Sequence, residues 1–441
     1  MGIFRRYDIR GVYKKDLDEG IMRKIGTGFS RVAKDKKVVI SQDTRLSSLS
    51  LKNAFVSGMS GKKLIDAGIL PISAALFAAW KNNAALAYVT ASHLPKEWNG
   101  IKFYHSSMLG FSAEEVQEIG KLCQKNTSGS RCDKSIVSNV DEDYAEFLSS
   151  KINAERPLRV LIDCGNGATS VGVKNVFEKA GFSVDAMFDV PDGNFPNRPS
   201  DPLTDELAAL KSKVYDYDFG LAFDGDGDRV MVVDDKGRKL TCEQMGYISL
   251  HELLNERKGD VAANVECSML IDMAAKKFGR NVIRFPVGHT FLSQTVQRHK
   301  VAYGTEINGH GAIPHLAPFN DSVAMALYFG YALSKQNKKL SEIVNKIPAL
   351  HILRKYFECP DDKKFAVIEN LKKNLKKVHK DVDTMDGVRV NLGDSWVLIR
   401  ASNTEPTVRM HAEAKTKVKA QKLIEEFGAA VEKEIGRVES K

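Results

Sequence analysis

The most constraining feature of the sequence is a regular alternation of short Val/Ile-rich runs with segments of helical pattern. Runs of strand length are KKVVIS, AALAYV, PLRVLID, FSVDAMF, FGLAF, RVMVV, DVAANV, NVIRFPV and VAYGT. Helical patterns lie between them, among them LKNAFVSGMSGKKLIDAG, SVGVKNVFEKAG and SMLIDMAAKKFG. Such βαβ alternation is typical of α/β units with largely parallel sheets.

The last part of the chain has a different pattern. DGVRVNLGDSWVLIRAS and TVRMHAEA predict antiparallel strands, and a long charged helix follows from about Lys415. A small α+β domain is therefore expected there. With 441 residues the chain exceeds what one hydrophobic core supports, so we expect three or four domains. Polar breaks near KNTSGSRCDKS, around DKGRK and around Pro348 predict domains at 1–148, 149–245, 246–350 and 351–441.

Charge and cysteine placement narrow the function classes. The formal net charge of +9 admits an anionic partner, but the lysines are spread over helix surfaces without an aromatic-interleaved stripe, so we expect no nucleic-acid partner. No apolar run has the length of a membrane helix, and no apolar segment follows the first arginines. We therefore expect a cytoplasmic protein without a membrane partner. The six scattered cysteines indicate neither a disulfide framework nor a zinc site.

Two common nucleotide-binding signals are excluded by their spacing. DCGNGATSVG follows a strand, but Gly165, Gly167 and Gly172 are spaced GxGxxxxG and not GxGxxG. GMSGKKL has no glycine five positions before Gly61, and Lys63 occupies the Ser/Thr position of a P-loop. Neither segment predicts a dinucleotide or P-loop site.

The segment FGLAFDGDGDRVMVVDD is the strongest chemical signal. Asp224, Asp226 and Asp228 alternate with glycines between two apolar strands, so three carboxylates can converge on one hard cation. An EF-hand is excluded, because Arg229 stands where that loop needs glycine and Asp235 where it needs glutamate. A turn of solvated aspartates is the alternative, but like charges so close repel one another unless a cation neutralises them. All-oxygen ligands favour Mg²⁺ and make phosphoryl transfer possible.

The stretch TASHLPKEWNG places Ser92 and His93 on a loop directly after a strand. A serine hydroxyl at that point can carry a phosphoryl group covalently if a metal lies opposite it. The alternative is a turn serine that bonds its own backbone. A GxSxG elbow, which is typical of a hydrolase nucleophile, is absent around Ser92.

Two further segments carry groups suited to a phosphorylated sugar. LIRASNTEPTVRM brings an arginine, two hydroxyls and an amide together at Arg400, Ser402, Asn403 and Thr404, which suits a phosphate. Its alternative, a capping box from Ser402, has no helix to cap because TVRMHAEA continues as a strand. YGTEINGHGAIP holds Glu306, Asn308 and His310 in a glycine-bounded turn. This turn can bind vicinal hydroxyls or be an ordinary polar loop.

Taken together, these segments resemble the α-D-phosphohexomutase superfamily. The resemblance spans nearly the whole chain and rests on FRRYDIRGVY, SQDTRLSS, TASHLP, NGIKF, PDGNFPNRPSDP, DGDGDR, TEINGH and RASNTEP in this order. It implies an α/β fold of three related mixed α/β domains plus a smaller C-terminal α+β domain around a central cleft, with a last domain that rotates.

The resemblance also implies a role for each motif. Ser92 matches the phosphoserine, which completes a Mg²⁺ site with Asp224, Asp226 and Asp228. Four residues match positions that flank the reacting centre and include the general acid/base: Arg10, His93, Lys102 and His310. The positions expected to contact substrate are Arg229, Glu306, Asn308, Arg400, Ser402, Asn403, Thr404 and Arg409. A phosphorylated hexose is the expected partner, and a hexose 1,6-bisphosphate such as glucose 1,6-bisphosphate the expected activator.

The chain departs from the family pattern at the sugar-binding segments. Asn308 stands where serine is common and Thr305 where glycine is usual, so the sugar is left open. A lysine often found before VGH is Pro286 here, and Arg284 is the candidate to take the role of that lysine. We expect a mutase for mannose or glucose phosphates, with phosphoglucosamine mutase as the nearest alternative. A catalytically silent sugar-phosphate binder and a Mg²⁺-dependent phosphatase also stay open, as does the choice between monomer and homodimer.

Overall fold

The computed structural model describes residues 2–123, 133–137, 139–402 and 405–439. This part of the chain forms four β-sheets in succession, of which the first three are mixed and the fourth is antiparallel. The predicted fold class is thereby confirmed: three related α/β domains precede a C-terminal α+β domain. None of the described helices is long and apolar enough to cross a membrane.

The first three sheets share one topology, so the three domains that contain them are related in structure. The first sheet has the strands Ile9–Val12, Lys37–Gln42, Lys63–Ile69, Ala85–Val89, Trp98–Tyr104 and Asp133–Ile136. The second has Arg159–Asp163, Ser183–Met187, Phe219–Phe223 and Val230–Asp234, and the third has Val261–Asn264, Val282–Phe285, Tyr303–Thr305 and Gly311–Ala312. In each sheet one strand, Lys37–Gln42, Arg159–Asp163 or Val261–Asn264, pairs in parallel with the next two strands in chain order. The strand after these, Trp98–Tyr104, Val230–Asp234 or Gly311–Ala312, pairs antiparallel with the second of the two.

This shared topology places the three sequence motifs at equivalent positions. The turn that leads into the antiparallel strand holds Ser92 in the first domain, the aspartates from Asp224 in the second, and Glu306 in the third. Because the carboxyl ends of parallel strands lie at one edge of a sheet, each motif is presented at that edge. The fold therefore gives each of the first three domains one functional turn.

The fourth sheet has the strands His351–Glu358, Val382–Asp383, Val388–Asn391, Ser395–Ala401 and Thr407–Ala414.

The α-helices of the described residues are Glu19–Val32, Ser48–Gly58, Ile72–Lys81, Ala113–Leu122, Val140–Ser149, Val173–Lys179, Ala208–Lys213, Cys242–Glu256, Met269–Lys277, His289–His299, Ser322–Ser334, Leu340–Val344, Lys364–Val378 and Lys417–Glu439. Local sequence explains several ends: Ser112 with Glu115 and Thr241 with Gln244 form capping boxes that satisfy free backbone N–H groups.

One predicted element is wrong. The pattern of LKNAFVSGMSGKKLIDAG predicts one helix, but the helix ends at Gly58 and Lys63–Ile69 is a strand. Gly61 has a φ of +66°, which breaks the helical path between them. The strand forms because it pairs in parallel with Lys37–Gln42 on one side and Asp133–Ile136 on the other. Sheet pairing thus outweighs the helix propensity of lysine, leucine and alanine.

The hydrophobic cores show which domains are fixed to one another. The largest buried cluster contains side chains from all three α/β domains, for example Phe77, Phe177 and Tyr328. The C-terminal domain has a core of its own. It meets the third domain through a small cluster that includes Val265 and Trp396. Consequently the first three functional turns belong to one packed body, while the fourth domain packs against it separately.

Candidate active site

Ser92 lies on a turn whose backbone conformation is fixed by a buried side chain, that of Arg45. Its φ of +53° is left-handed, which is uncommon for a residue with a side chain, and it is only 1% exposed. The buried Arg45 side chain donates hydrogen bonds to the carbonyls of Ser92 at 2.7 Å and Leu94 at 2.6 Å, and also to those of Pro95 and Trp98. Arg45 thus gathers four carbonyls and fixes the turn.

Asp43 and Thr90 support the same turn. Asp43 pairs with Arg45 at 3.0 Å and accepts a hydrogen bond from Thr90 Oγ1 at 2.7 Å. Thr90 Oγ1 in turn accepts from the Ser92 N–H at 2.7 Å and lies 3.2 Å from Asp226 Oδ2. A chain of contacts therefore runs from Arg45 to the second domain.

The three aspartates converge as their spacing predicts. One ligand atom from each of Asp224, Asp226 and Asp228 lies within 4.8 Å of the others, and within the described ranges this is the one such group of metal-ligating side chains. Lys102 Nζ donates to Asp226 at 2.8 Å and to Asp228 at 2.6 Å. Asp226 Oδ1 is buried and has no hydrogen-bond partner in the part of the chain that the structure describes. An all-oxygen donor set with an unpaired buried oxygen fits Mg²⁺.

Ser92 and the aspartates face each other directly. Ser92 Oγ donates a hydrogen bond to Asp224 Oδ2 at 2.8 Å. This approach requires glycine at position 225, because a Cβ there would lie 2.5 Å from the Ser92 carbonyl oxygen. Ser200 ties the two turns together, since its carbonyl accepts from Gly225 N and its hydroxyl donates to Leu94 O. The predicted nucleophile and the predicted cation site are thus brought together.

The charges of the site are strongly coupled. Burial, together with repulsion from Asp228 and Asp226, raises the pKa of Asp224 well above its ordinary value. Burial alone would also raise the pKa of Asp228, but Lys102 and His310 lower it well below that value. The triplet therefore gains most from a cation near Asp224, because Lys102 already offsets the charges of Asp226 and Asp228.

His93 and Arg10 lie at the edge of this centre. His93 Nδ1 is 3.3 Å from Ser92 Oγ. Burial, with the nearby positive charges of Arg229 and Arg10, lowers the pKa of His93 to about 2, so its imidazole is neutral. Arg10 forms an ion pair with Asp8 at 2.7 Å.

The turn of the third domain approaches the metal-binding turn of the second. His310 Nε2 lies 3.0 Å from Asp228 Oδ1, and Nδ1 lies 3.9 Å from Glu306 Oε1. Glu306 is fully buried, and burial raises its pKa. Asn308 Oδ1 accepts from the His310 N–H at 3.3 Å, so it shapes the turn. Glu306, Asn308 and His310 thus follow one another within a single turn.

Part of this site opens into one cleft of about 740 Å³, whose lining does not include His93, Asp224, Asp226, Glu306 or Asn308. Its lining residues are Arg5, Arg6, Tyr7, Asp8, Arg10, Ser92, Leu94, Trp98, Lys102, Asp228, Arg229 and His310. Arg229, one of the residues expected to contact substrate, lies 3.9 Å from Asp228 and 4.0 Å from Asp201. The volume is ample for a phosphorylated hexose.

Those predicted phosphate-binding residues of the C-terminal domain that the structure describes lie apart from this cleft. Arg400 pairs with Glu266 of the third domain at 2.9 Å and with Asp386 at 3.2 Å. Arg409, directly opposite Arg400 on the neighbouring strand, pairs with Glu405 at 2.8 Å. Arg400, Ser402 and Arg409 do not belong to the cleft lining. Asn403 and Thr404 lie outside the described residues.

Arg284, the candidate to take the role of the lysine that Pro286 replaces, is engaged elsewhere. Its guanidinium donates to Asp272 and to the carbonyls of Asn264 and Cys267. It does not line the cleft.

Sequence reasoning assigned no role to several supporting residues, chiefly Asp43, Arg45, Thr90 and Ser200. Their signal was present, because SQDTRLSS, TASHLP and NRPSDP contain them. Arg198 of the last motif supports the second domain much as Arg45 supports the first: it pairs with Asp163 at 3.0 Å and donates to the Phe223 carbonyl. Each of the two facing turns thus rests on a buried arginine–aspartate pair.

The fold and the facing turns define a four-domain α/β protein arranged for phosphoryl chemistry on a small anionic ligand. Family models give the class a name. The four phosphoglucomutase/phosphomannomutase domains match in order: α/β/α domain I at residues 1–130, domain II at 142–237, domain III at 241–351 and the C-terminal domain at 353–430. The chain belongs to the phosphoglucomutase/phosphomannomutase family within the α-D-phosphohexomutase superfamily.

Individual relatives agree with this assignment. The chain is 31% identical to a probable phosphoglucosamine mutase of Methanopyrus kandleri, with 95% of each chain covered. It is 30% identical to a phosphoglucomutase/phosphomannomutase of Thermococcus kodakarensis, covering 96% of this chain and 97% of the relative. A solved family member from Burkholderia thailandensis has a TM-score of 0.87 at 26% identity, covering 98% of this chain and 97% of that one. The protein is accordingly an isomerase of the intramolecular phosphotransferase type.

Proposed function

We propose that the protein is a phosphoglucosamine mutase that interconverts glucosamine 1-phosphate and glucosamine 6-phosphate through a phosphoserine at Ser92 and a 1,6-bisphosphate. The 2.8 Å hydrogen bond from Ser92 Oγ to Asp224 carries the reaction type, because it places a nucleophile against a cation site. A silent binder would need neither group.

The choice of sugar differs from the first expectation, which was mannose or glucose. The more similar of the two relatives above, at 31% identity, is named for glucosamine. Glu306 adds a physical reason, since among the described residues both of its carboxyl oxygens are buried without a hydrogen-bond partner, and a substrate ammonium group would provide a donor and offset its charge. The amino group of glucosamine supplies that charge, whereas mannose and glucose do not.

The residues of the cleft have separate tasks in this reaction. The bond from phosphorus to Ser92 Oγ breaks, a bond to the free sugar hydroxyl forms, and the hydroxyl proton must leave. Lys102 and Arg10 are held by carboxylates and act as fixed positive charges beside the phosphoryl oxygens. His310, whose Nε2 lies 3.0 Å from Asp228, is left as the group that carries the proton, because His93 with a pKa of about 2 is too weak a base.

Mg²⁺ would be held by Asp224, Asp226 and Asp228, and would offset the charge of the transferring phosphoryl group. Arg229 lines the cleft beside these ligands and faces the sugar phosphate. Glu306 and Asn308 take the sugar hydroxyls. The substrate's second phosphate belongs to Arg400, Ser402, Asn403, Thr404 and Arg409. The described part of this set lies outside the cleft, so the C-terminal domain must move toward the substrate, which also excludes water.

The test is ³¹P NMR of the full-length protein with Mg²⁺ and catalytic glucose 1,6-bisphosphate. Separate samples contain the 1-phosphates of glucosamine, glucose and mannose. We expect a growing 6-phosphate signal in all active samples and the greatest kcat/KM for glucosamine 1-phosphate. A greater kcat/KM for mannose or glucose would restore the first expectation. Release of inorganic phosphate alone would replace the mutase by a phosphatase.

A further inference from the structure

Two adjacent arginines, Arg5 and Arg6, lie at the tip of an N-terminal turn that projects into the cleft. The turn is closed by a bridge between Phe4 and Ile9, and Arg5 N donates to Asp8 O at 2.9 Å. Both arginines line the same cavity as Ser92. Both lie in the segment FRRYDIRGVY, but no role in metal binding, proton transfer or substrate binding has been assigned to either.

The other cations of the cleft already have carboxylate partners. Arg10 pairs with Asp8, Lys102 with two of the aspartates, and Arg229 lies near Asp228. By contrast, no carboxylate oxygen of the described residues lies within 4.0 Å of the Arg5 or Arg6 guanidinium. The positive charge at the tip of the turn is therefore available to an anionic ligand in the cleft.

Two aromatic rings hold the Arg6 guanidinium in place, whereas no ring of the described residues holds that of Arg5 in this way. The Arg6 guanidinium lies over the Tyr7 ring at 5.2 Å and over the Phe291 ring at 5.9 Å. The two rings meet edge to face at 5.7 Å. Phe291 belongs to the third domain, so this stack links the first and third domains. A stacked guanidinium loses little further freedom when it binds an anion.

The same place adjoins the C-terminal domain. Burial raises the pKa of Tyr7, with contributions from Glu114 and Asp386 that partly offset Arg6. Asp386 is the residue that pairs with Arg400. Asp386 also accepts a hydrogen bond from Val287 N of the third domain at 3.0 Å, so Arg6 lies close to the contact between the third and C-terminal domains.

We infer that Arg6 is a further substrate-binding residue, which holds the phosphate that does not react in a given half-reaction. It consequently also retains the 1,6-bisphosphate while the sugar reorients between its two positions. In the third domain Pro286 carries no charge, and Arg284 is bound to Asp272 and to the Asn264 carbonyl. Arg6 supplies a positive charge from the first domain instead. This inference rests on the proposed mutase function.

The experiment compares Arg6→Ala with Arg6→Lys and with Arg5→Ala, the neighbour of equal charge that lacks the stack. Steady-state kinetics on glucosamine 1-phosphate give kcat and KM. Single-turnover ³¹P NMR with phosphorylated enzyme gives the fraction of bisphosphate released to solution. Calorimetric titration with glucose 1,6-bisphosphate gives its affinity without turnover.

For Arg6→Ala we expect KM and the bisphosphate Kd to rise roughly tenfold, as for removal of one charge-assisted hydrogen bond, with a clear increase in released bisphosphate. Arg6→Lys should recover part of the affinity and Arg5→Ala should change it by less than about threefold by the same reasoning. Unchanged KM, Kd and release in Arg6→Ala would overturn the inference, as would equal losses in Arg5→Ala. If the wild type converts no sugar phosphate, the mutase proposal fails, and the calorimetric comparison alone decides whether Arg6 binds the bisphosphate.

Discussion

Arg45→Lys tests whether the geometry of the Ser92 turn depends on one buried side chain. Arg45 is 2% exposed and bonds Asp43 and four carbonyls of the turn. Lysine keeps the charge that Asp43 needs but offers three donors from a single atom. If one donor stays with Asp43, at least two of the carbonyls are left without their partner.

The magnitudes follow from these lost hydrogen bonds. A hydrogen bond from a charged donor contributes about 1.5–3 kcal/mol, so the loss of two in Arg45→Lys should lower the free energy of unfolding by about 3–6 kcal/mol. A turn that relaxes by about 1 Å misplaces the nucleophile, and kcat should fall on the order of 100-fold. The substrate-binding groups are untouched, so KM should change little. Urea unfolding and steady-state mutase kinetics measure both effects.

Lys52→Gln is the matched control. Lys52 is also buried in the first domain and pairs with Asp66 at 2.7 Å, but it does not contact the Ser92 turn. It should lower stability without lowering kcat by more than about twofold, because it moves no reacting group. The reasoning is refuted if Arg45→Lys retains wild-type kcat, or if Lys52→Gln loses kcat to the same extent.

Three further predictions concern the turn, the cation and pH. Gly225→Ala should abolish turnover, because its Cβ would lie 2.5 Å from the Ser92 carbonyl, whereas Gly436→Ala, with nothing within 4 Å, should leave kinetics unchanged. Asp226→Asn should weaken Mg²⁺ binding, measured calorimetrically, by at least about tenfold through the loss of one charged ligand; an unchanged Kd would remove Asp226 from the site. Burial lowers the pKa of His411 to about 4, and nearby arginines also lower it, although Glu266 acts in the opposite direction. The unfolded chain therefore takes up this proton first, near pH 6.5, and the folded protein should lose about 3 kcal/mol of stability as the pH falls to about 4. His411→Gln should flatten that part of the unfolding profile, and an unaltered profile would assign the loss to other groups.

Much of the fold follows from sequence because its strands are buried and short. The run AALAYV predicted Ala85–Val89, in which every residue is buried, and TVRMHAEA predicted Thr407–Ala414. The segment around Lys63 failed because its pattern is compatible with a helix, and only the neighbouring strands in space decide otherwise. Local patterns contain no information about such partners. The predicted domain limits stay predictions.

Sequence spacing predicts which site residues cluster where they are close along the chain, but not where distant segments meet. Lys102 is a candidate only through the family resemblance. DGDGDR brings three carboxylates together within five residues, so spacing alone predicted the cluster. The contact of Lys102 with these carboxylates joins residues more than a hundred positions apart. Arg45 bonds backbone carbonyls, which every residue has, so no sequence pattern indicates these contacts. Likewise, nothing in RASNTEP reveals that Arg400 pairs with Glu266.

The role of Ser92 as phosphoryl carrier is tested most directly by mass spectrometry. The full-length protein is incubated with Mg²⁺ and glucose 1,6-bisphosphate, digested, and its phosphopeptides are sequenced. We predict one phosphoryl group, located on Ser92, which is lost when glucosamine 6-phosphate is added and is absent from Ser92→Ala. A phosphoryl group on another residue, or a Ser92→Ala variant with wild-type mutase activity, would contradict the proposed mechanism.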